Sequence, residues 1–298
     1  MPRQPYFVVA VGRKGVGKTY TTKKIIKEYA IKQKRKVLIL DINNEKEYSK
    51  IKTIPINYVF NKNEKDYIKI FSSKNYKVDI RRIIPYHPYD NRNLTTDEVN
   101  LVLSHILKTF YGGILVIEDI AKYVSDNMKT DIIGSLATIR HRNCDVITHF
   151  QWKKKIFNPK LYGNIDYIRV HKTNDNFSDY LSQIKGEKEL FLLTDILVNY
   201  KNKLLKEKYL INNDIKKFTN KPIETYYCYI DLGRGKIFGK YSKSDISNVV
   251  DIYISNNYKK IIKPMLEIID IKTNKKKYTP EKAINEVKNN LINEYFVF

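Results

Sequence analysis

Short apolar runs alternate with amphipathic stretches along the first 172 residues of the chain. The runs have the length and β-branched content of buried strands, and the stretches between them place apolar residues such as Ile26 and Ala30 on one helical face. The predicted strands are residues 6–11, 36–42, 78–85, 114–120, 145–151 and 167–172, and the predicted helices are residues 19–33, 64–73, 95–111 and 131–141. Thr95 and Glu98 have the spacing of a capping box. This alternation predicts an α/β fold, a three-layer sandwich around a mostly parallel sheet.

The pattern changes after the last of these strands. Residues 191–206 have the periodicity of a long helix, and residues 226–242 alternate with a period of two around Gly233-Arg234-Gly235, which predicts a β-hairpin. Lysine-rich helical or irregular segments follow. We therefore expect a core domain at residues 1–174 and a small basic α+β extension (a helix, a hairpin and helices) at residues 175–298.

The loop between the first predicted strand and the first predicted helix has the sequence GRKGVGKT. It fits the pattern GxxxxGK[ST], which places Lys18 and Thr19 at its end. Glycines let backbone N–H groups approach a phosphate without Cβ clashes, and the N-terminus of the following helix attracts the same anion. The predicted nucleotide-binding residues are Gly12, Arg13, Lys14, Gly15, Val16, Gly17, Lys18, Thr19 and Tyr20. Lys18 would reach the β- and γ-phosphates of ATP, and Thr19 would ligate Mg²⁺.

Two adjacent carboxylates, Glu118 and Asp119, stand near the end of the predicted strand ILVIEDI. ATP hydrolysis needs one acid in the Mg²⁺ shell and often a second that orients the attacking water, both at the carboxyl end of a strand beside the phosphate loop. We predict that this pair supplies both functions, and the sequence leaves open which acid performs which. The late position of the pair resembles the ASCE, or RecA-like, division of P-loop NTPases, whose members carry a catalytic glutamate.

Polar residues flank the next predicted strand in the segment IRHRNCDVITHFQ. Gln151 ends that strand, where an amide can contact the γ-phosphate or the attacking water. Arg140 precedes the strand and could stabilise transition-state charge on the ATP of a neighbouring subunit, with Arg142 as the alternative. The predicted catalytic set is therefore Lys18, Glu118, Asp119, Gln151 and Arg140.

Together, the P-loop, the paired acids, Arg140 and Gln151 resemble the FtsK–HerA superfamily of DNA-pumping ATPases over residues 5–172. HerA-like members also carry an Asp after the second strand and a Glu-Tyr pair, which Asp41 and Glu47-Tyr48 match here. The Glu-Asp order of the paired acids and the second arginine, Arg142, depart from the family pattern.

The resemblance implies a homo-oligomeric ring, expected to be hexameric, that uses ATP and Mg²⁺ to move double-stranded DNA irrespective of its sequence. Compact relatives with one ATPase domain include viral and phage genome-packaging ATPases, so packaging at a capsid or portal vertex is the leading expectation. A HerA-like translocase of conjugation or repair is an alternative from the same class.

The charge of the chain supports an anionic partner. It has 55 Lys and Arg against 32 Asp and Glu, a formal net charge of +23, which favours nucleic acid. Lysines can follow phosphates without reading bases. The candidate DNA-contacting residues are Lys153, Lys154 and Lys155, directly after the Gln151 strand, and a further lysine cluster stands at residues 275–277. A solvated charged loop would explain the first cluster equally well.

Other classes of protein are less consistent with the sequence. Cys144 and Cys228 are the only cysteines, which excludes a disulfide framework and a CxxC metal site. No run of about 18 apolar residues predicts a membrane span, and we expect a soluble protein of the cytoplasm, or a virion-associated one if it is viral. Two rivals remain: a ParA/MinD-like partition ATPase, in which Arg13 would replace a signature lysine, and a nucleotide-dependent scaffold.

Overall fold

The structure, a computed structural model, describes residues 4–73, 78–119, 134–136, 138–184, 186–211 and 224–297. The chain forms two compact units, Met1–Ile168 and Arg169–Phe298. The boundary between them falls inside the last strand of the first unit, a few residues before the boundary suggested by the sequence pattern.

The first unit contains the alternating strands and helices that the sequence predicts. Its strands are β1 (Phe7–Val11), β2 (Lys36–Leu40), β3 (Ile80–Ile83), β4 (Gly113–Ile117), β5 (Asp145–Phe150) and the beginning of β6 (Tyr167–His171). Its helices are α1 (Lys18–Gln33), α2 (Asn57–Phe60), α3 (Tyr67–Ser72), α4 (Thr96–Thr109) and α5 (Pro159–Tyr162), with 3₁₀ helices at Lys46–Tyr48, Ile139–Arg142 and Lys153–Phe157. The predicted helix at 131–141 lies partly outside the described residues, and its end is the 3₁₀ helix Ile139–Arg142.

The strand order of the first unit places β5 between β1 and β4. The order is β3-β2-β4-β5-β1, and each neighbouring pair is parallel. β2, β4 and β5 are buried along their whole length, as expected for parallel strands covered on both faces. The predicted mostly parallel α/β fold is therefore confirmed.

One edge of this sheet collects the residues that follow strand ends. The glycine loop after β1, Glu118 after β4 and Gln151 after β5 all lie at the carboxyl edge, where α/β proteins bind ligands. Arg140 precedes β5 and lies at the opposite edge. The six residues of β5 separate the two edges by about 20 Å.

A partly buried ion pair ties the strands together at the amino edge. Arg35 Nη1 lies 2.7 Å from Asp145 Oδ2 at the start of β5, and Arg35 Nη2 donates to the carbonyl oxygen of Gly113 at the start of β4. The other carboxylate oxygen of Asp145 accepts the backbone N–H of Tyr6 at 2.7 Å. These contacts hold together the starts of β1, β4 and β5, the three strands that carry the predicted site.

The described part of the second unit contains two antiparallel hairpins, four α-helices and a 3₁₀ helix at Phe177–Tyr180. Its elements are the end of β6, α6 (Lys188–Ile211), β7 (Tyr227–Asp231), β8 (Lys236–Gly239), α7 (Lys243–Asn256), α8 (Tyr258–Leu266), β9 (Ile269–Asp270), β10 (Lys275–Lys276) and α9 (Pro280–Tyr295). β7 and β8 are antiparallel, which confirms the hairpin predicted around Gly233-Arg234-Gly235. Gly235 has φ +62°, a conformation that side chains of L-residues rarely adopt. Among the described residues, no helix is long and apolar enough to cross a membrane.

Candidate nucleotide-binding and hydrolysis site

The loop between β1 and α1 has the backbone of an anion cradle. Gly12 N–H donates to the carbonyl oxygen of Phe150 at 3.1 Å, which fixes the base of the loop to β5. Gly15 and Gly17 both have φ +83°, in the left-handed region. A Cβ on Gly15 would meet open space, so the dihedral angle rather than crowding requires glycine there. No side chain caps the N-terminus of α1 at Gly17, which leaves its first N–H groups available to an anion.

Lys18 spans this loop. Its ammonium nitrogen donates to the carbonyl oxygens of Gly12 at 2.5 Å and Arg13 at 3.0 Å. The predicted nucleotide-binding residues are therefore a loop, 12–17, closed by the Lys18 ammonium, and the first three residues of α1. Their exposure differs: Val16 is buried, Gly17, Lys18, Thr19 and Arg13 are partly buried, and Lys14, Gly15 and Tyr20 are exposed.

Glu118 lies directly after β4 and is 2 % exposed. One carboxylate oxygen, Oε1, accepts a hydrogen bond from the Tyr48 hydroxyl at 2.6 Å, and Oε2 lies 2.6 Å from His149 Nδ1. Burial by itself raises the pKa of the Glu118 carboxyl, but the charge and hydrogen bond of His149, the Tyr48 hydroxyl and the charge of Lys18 together lower that pKa. Glu118 is therefore a buried carboxylate held in one orientation.

His149 connects Glu118 to the helix that follows the nucleotide loop. Its second ring nitrogen, Nε2, lies 2.7 Å from Thr22 Oγ1, and this contact is buried. One chain of polar contacts thus joins β4, β5 and α1. His149 and Thr22 are not among the residues predicted from the sequence. The available signal was a histidine inside a strand that is otherwise apolar, because a buried imidazole needs a hydrogen-bonding partner.

Asp119 differs from its neighbour in exposure and conformation. It is partly exposed, and its φ of +45° lies in the left-handed region, which is uncommon for any residue other than glycine. Gln151 Nε2 donates to Asp119 Oδ2 at 2.9 Å. The structure therefore brings the predicted strand-end amide into contact with one of the two predicted acids, and that acid is the accessible one.

Asp41, which matches the HerA-like pattern after the second strand, forms a separate buried pair. Asp41 Oδ2 lies 3.1 Å from Arg82 Nη1, and Asp41 Oδ1 accepts the backbone N–H of Glu45 at 2.9 Å. Burial raises the pKa of Asp41, and the nearby charge of Glu118 adds to that effect, whereas the bonds from Glu45 and Arg82 oppose it. These contacts hold the chain as it leaves β2 toward Tyr48.

The two candidate arginine fingers lie at the amino end of β5. Arg140 belongs to the 3₁₀ helix Ile139–Arg142, and its side chain is outside the described residues. The Arg142 guanidinium donates to the carbonyl oxygen of Lys108 near the end of α4 within the same chain. The length of β5 separates both residues from Lys18, so neither lies beside the nucleotide loop of its own subunit.

The lysine cluster after Gln151 differs from the expected solvent-exposed loop. Residues Lys153–Phe157 form a 3₁₀ helix, and Lys153 is 3 % exposed. Lys154 is exposed and Lys155 is partly exposed. Lys153 is therefore buried in this structure, Lys154 and Lys155 are the accessible members of the cluster, and DNA contact by the cluster stays a prediction.

Thr19, Glu118 and Asp119 are the residues predicted to hold Mg²⁺ together with a nucleotide. Within the part of the chain that the structure describes, no three His, Cys, Asp or Glu residues are grouped to hold a metal by themselves. Mg²⁺ usually keeps several water ligands and takes one or two protein oxygens together with phosphate oxygens. The sparse donor set of Thr19 and Glu118 agrees with that mode of binding.

This fold and site define a P-loop ATPase with a strand inserted between the P-loop strand and the acid-bearing strand. Residues 10–293 match the family described as "Helicase HerA, central domain". The chain belongs to this family, within the FtsK–HerA superfamily of P-loop ATPases.

Two solved structures illustrate the similarity. The genome packaging NTPase B204 from Sulfolobus turreted icosahedral virus 2, in complex with ATP-gammaS, is 19 % identical, with 80 % of this chain and 98 % of that chain covered and a TM-score of 0.47. VirB4 of Thermoanaerobacter pseudethanolicus is 11 % identical, with coverage of 81 % and 91 % and a TM-score of 0.43. No curated protein matches the chain.

We expect His149→Ala to lower kcat for ATP hydrolysis by about 10- to 100-fold, because outer-shell partners of metal-site ligands typically have effects of this size. Without the imidazole, Glu118 loses both its orientation and its link to Thr22. Steady-state turnover at saturating Mg²⁺ and ATP measures the effect. His105→Ala is the matched control. His105 also pairs with a carboxylate, with its Nε2 3.0 Å from Asp66 Oδ2, but it lies on α4 and is not part of the site. Equal turnover in the two variants would contradict the prediction.

Proposed function

We propose that the protein is an ATP-driven translocase of double-stranded DNA that works as an oligomeric ring. The observation that carries this proposal is the difference between the two acids after β4. Glu118 is buried close to the charge of Lys18, whereas Asp119 is accessible and accepts a hydrogen bond from Gln151. Membership of the HerA helicase family supports a motor that acts on DNA.

Each residue of the site has a distinct part in hydrolysis. The loop N–H groups and Lys18 bind and orient the phosphates of ATP, and Thr19 and Glu118 would hold Mg²⁺ beside them. The ion, when bound, neutralises charge that develops on the phosphate oxygens. Asp119 orients the attacking water and accepts its proton as the water oxygen bonds to the γ-phosphorus and the bond from that phosphorus to the leaving ADP oxygen breaks. Gln151 holds the Asp119 carboxylate in place.

The position of Arg140 supports catalysis between subunits. An arginine at the amino edge of the sheet can act only on a nucleotide bound by another chain, which a head-to-tail ring provides. Arg142 is engaged with the Lys108 carbonyl of its own chain, so we assign the finger to Arg140. Six subunits is the ring size that the superfamily resemblance implies.

Within this class we propose viral genome packaging, with a capsid or portal vertex as the docking partner. The alternative is a HerA-like translocase of conjugation or repair. Protection of DNA from nuclease by added empty capsids distinguishes the two roles. A ParA/MinD-like dimer is disfavoured, because its paired acids would not come late in the chain on a strand separated from β1 by β5.

Double-stranded DNA is expected to raise ATP turnover several-fold at low salt, and the stimulation should fall as salt rises, because phosphate contacts release counterions. Turnover is measured with and without linear DNA across a salt series. Wild-type turnover that is unchanged by DNA at low salt would contradict translocation and would leave only an ATPase. Particle images with ATP would show a ring if the proposal is right and a dimer if the partition alternative holds.

A further inference from the structure

The chain between α8 and α9 forms a small hairpin with a fixed turn, which we call the basic hairpin (268–277). Asp270 Oδ1 accepts the backbone N–H groups of Lys272 at 2.8 Å and Thr273 at 3.1 Å. Asn274 N–H donates to the Asp270 carbonyl at 2.8 Å, and Asn274 has φ +50°, a left-handed conformation that asparagine tolerates. Four residues between the strands are thus held in one turn.

The basic hairpin presents lysines around an apolar tip. Ile271 is 98 % exposed at the turn, and Lys272, Lys275 and Lys276 are exposed. None of these three lysines has an ion-pair partner among the described residues. The nearby acid, Asp270, is occupied by the backbone of the turn, and those bonds lower its pKa. Asp270 therefore stays ionised, and residues 268–277 carry four lysines against this one carboxylate, a net charge of +3 on a fixed turn.

The base of the hairpin is anchored to α9. Tyr278 follows directly and is buried, and its hydroxyl donates to Glu286 Oε1 at 2.9 Å. The ammonium groups of Lys277 and Lys282 lie 5.2 Å and 5.7 Å from the centre of the Tyr278 ring. A hairpin that is anchored at its base and fixed at its turn holds the backbone of its lysines in one place.

We propose that the basic hairpin contacts double-stranded DNA, with its lysines on the phosphates and Ile271 against the sugar edge of a groove. The assignment rests on the proposed function and adds a named surface to it. Lysine ammonium groups are point charges that suit phosphates without reading bases, as sequence-independent movement requires. Proteins that bind the minor groove insert apolar side chains such as isoleucine into it.

The test compares DNA binding by the full-length chain and a hairpin variant, Lys275→Gln with Lys276→Gln. We expect affinity for a linear duplex at low salt to fall about 10- to 100-fold and the salt slope to decrease by about two, since each phosphate contact contributes about 0.9. A second variant, Ile271→Ser, tests the tip and should weaken binding without changing the salt slope. ATP turnover without DNA should be unchanged, because the hairpin contains no residue assigned to the nucleotide site.

The matched control is Lys206→Gln with Lys208→Gln, which removes two exposed lysines of α6 and the same charge. Equal affinities of the two double variants would overturn the hairpin contact and leave the translocase proposal standing. If the Lys275→Gln, Lys276→Gln variant lost binding to phosphatidylserine vesicles but kept its affinity for DNA, the hairpin contact with DNA would be overturned in favour of a lipid surface. Absence of duplex binding by the unaltered chain at low salt would overturn both proposals.

Discussion

Replacing Lys18 with alanine is expected to lower kcat/KM for ATP hydrolysis by at least about 100- to 1000-fold, the cost typical of removing one preorganised stabilising group. Lys18 Nζ lies over the loop, 2.5 Å and 3.0 Å from two of its carbonyl oxygens, where it can turn to the β- and γ-phosphates. Phosphoryl transfer depends mainly on positioning and charge stabilisation, so losing this ammonium removes a principal contribution.

The measurement is steady-state hydrolysis together with titration of a fluorescent ATP analogue. Lys27→Ala provides the control, because Lys27 is an exposed lysine on the same helix and loses the same charge. A Lys18→Ala protein that hydrolyses ATP at the wild-type rate would show that the assignment of the site is wrong. Thermal unfolding of both variants shows whether the helix remains intact.

Replacing Asp119 with asparagine is expected to lower kcat by about 100- to 10,000-fold, the range for a general base, while nucleotide affinity changes little. Asparagine retains the size of the side chain and an oxygen that can accept the hydrogen bond from Gln151. It also tolerates the left-handed φ of +45° at this position. The change therefore removes the proton acceptor and leaves the local structure in place.

A second substitution, Glu118→Gln, separates the two acids. Glu118 contacts Tyr48 and His149 and is buried, so we expect its loss to raise the Mg²⁺ concentration needed for half-maximal turnover. Asp119→Asn should leave that concentration unchanged. Near-normal kcat in Asp119→Asn combined with loss of turnover in Glu118→Gln would mean that the two roles are exchanged. Asp97→Asn, an exposed acid at the start of α4, is the control for charge alone.

Much of the fold could be predicted because its signals are local. Apolar runs specified each strand of the first unit, and the glycine dihedrals of the β7–β8 turn and the P-loop follow from residue type. The capping box is present, with Glu98 N–H 3.3 Å from Thr95 Oγ1 and the reciprocal bond at 2.7 Å. The superfamily motifs brought Glu118, Asp119 and Gln151 into the predicted site because each follows a parallel strand.

Other parts of the site depend on residues that are far apart in sequence. Thr22 and His149 are separated by 127 positions and meet because β5 pairs directly with β1. Lys153 could not be recognised as buried, because a lysine triplet has the same composition in a loop and in a packed 3₁₀ helix. The sequence pattern of the helix before β5 extends over residues outside the described part of the chain, so that prediction stays open.

The amino-acid sequence by itself determined the nucleotide loop and the α/β alternation, and it placed two acids after one strand. These features depend on backbone dihedrals and side-chain periodicity over a few neighbouring residues. Only the tertiary structure decided that Glu118 is enclosed by Tyr48 and His149 while Asp119 remains accessible to Gln151. The physical reason is that burial and hydrogen-bond partners are set by the order of the strands in the sheet, and strand order follows from long-range packing.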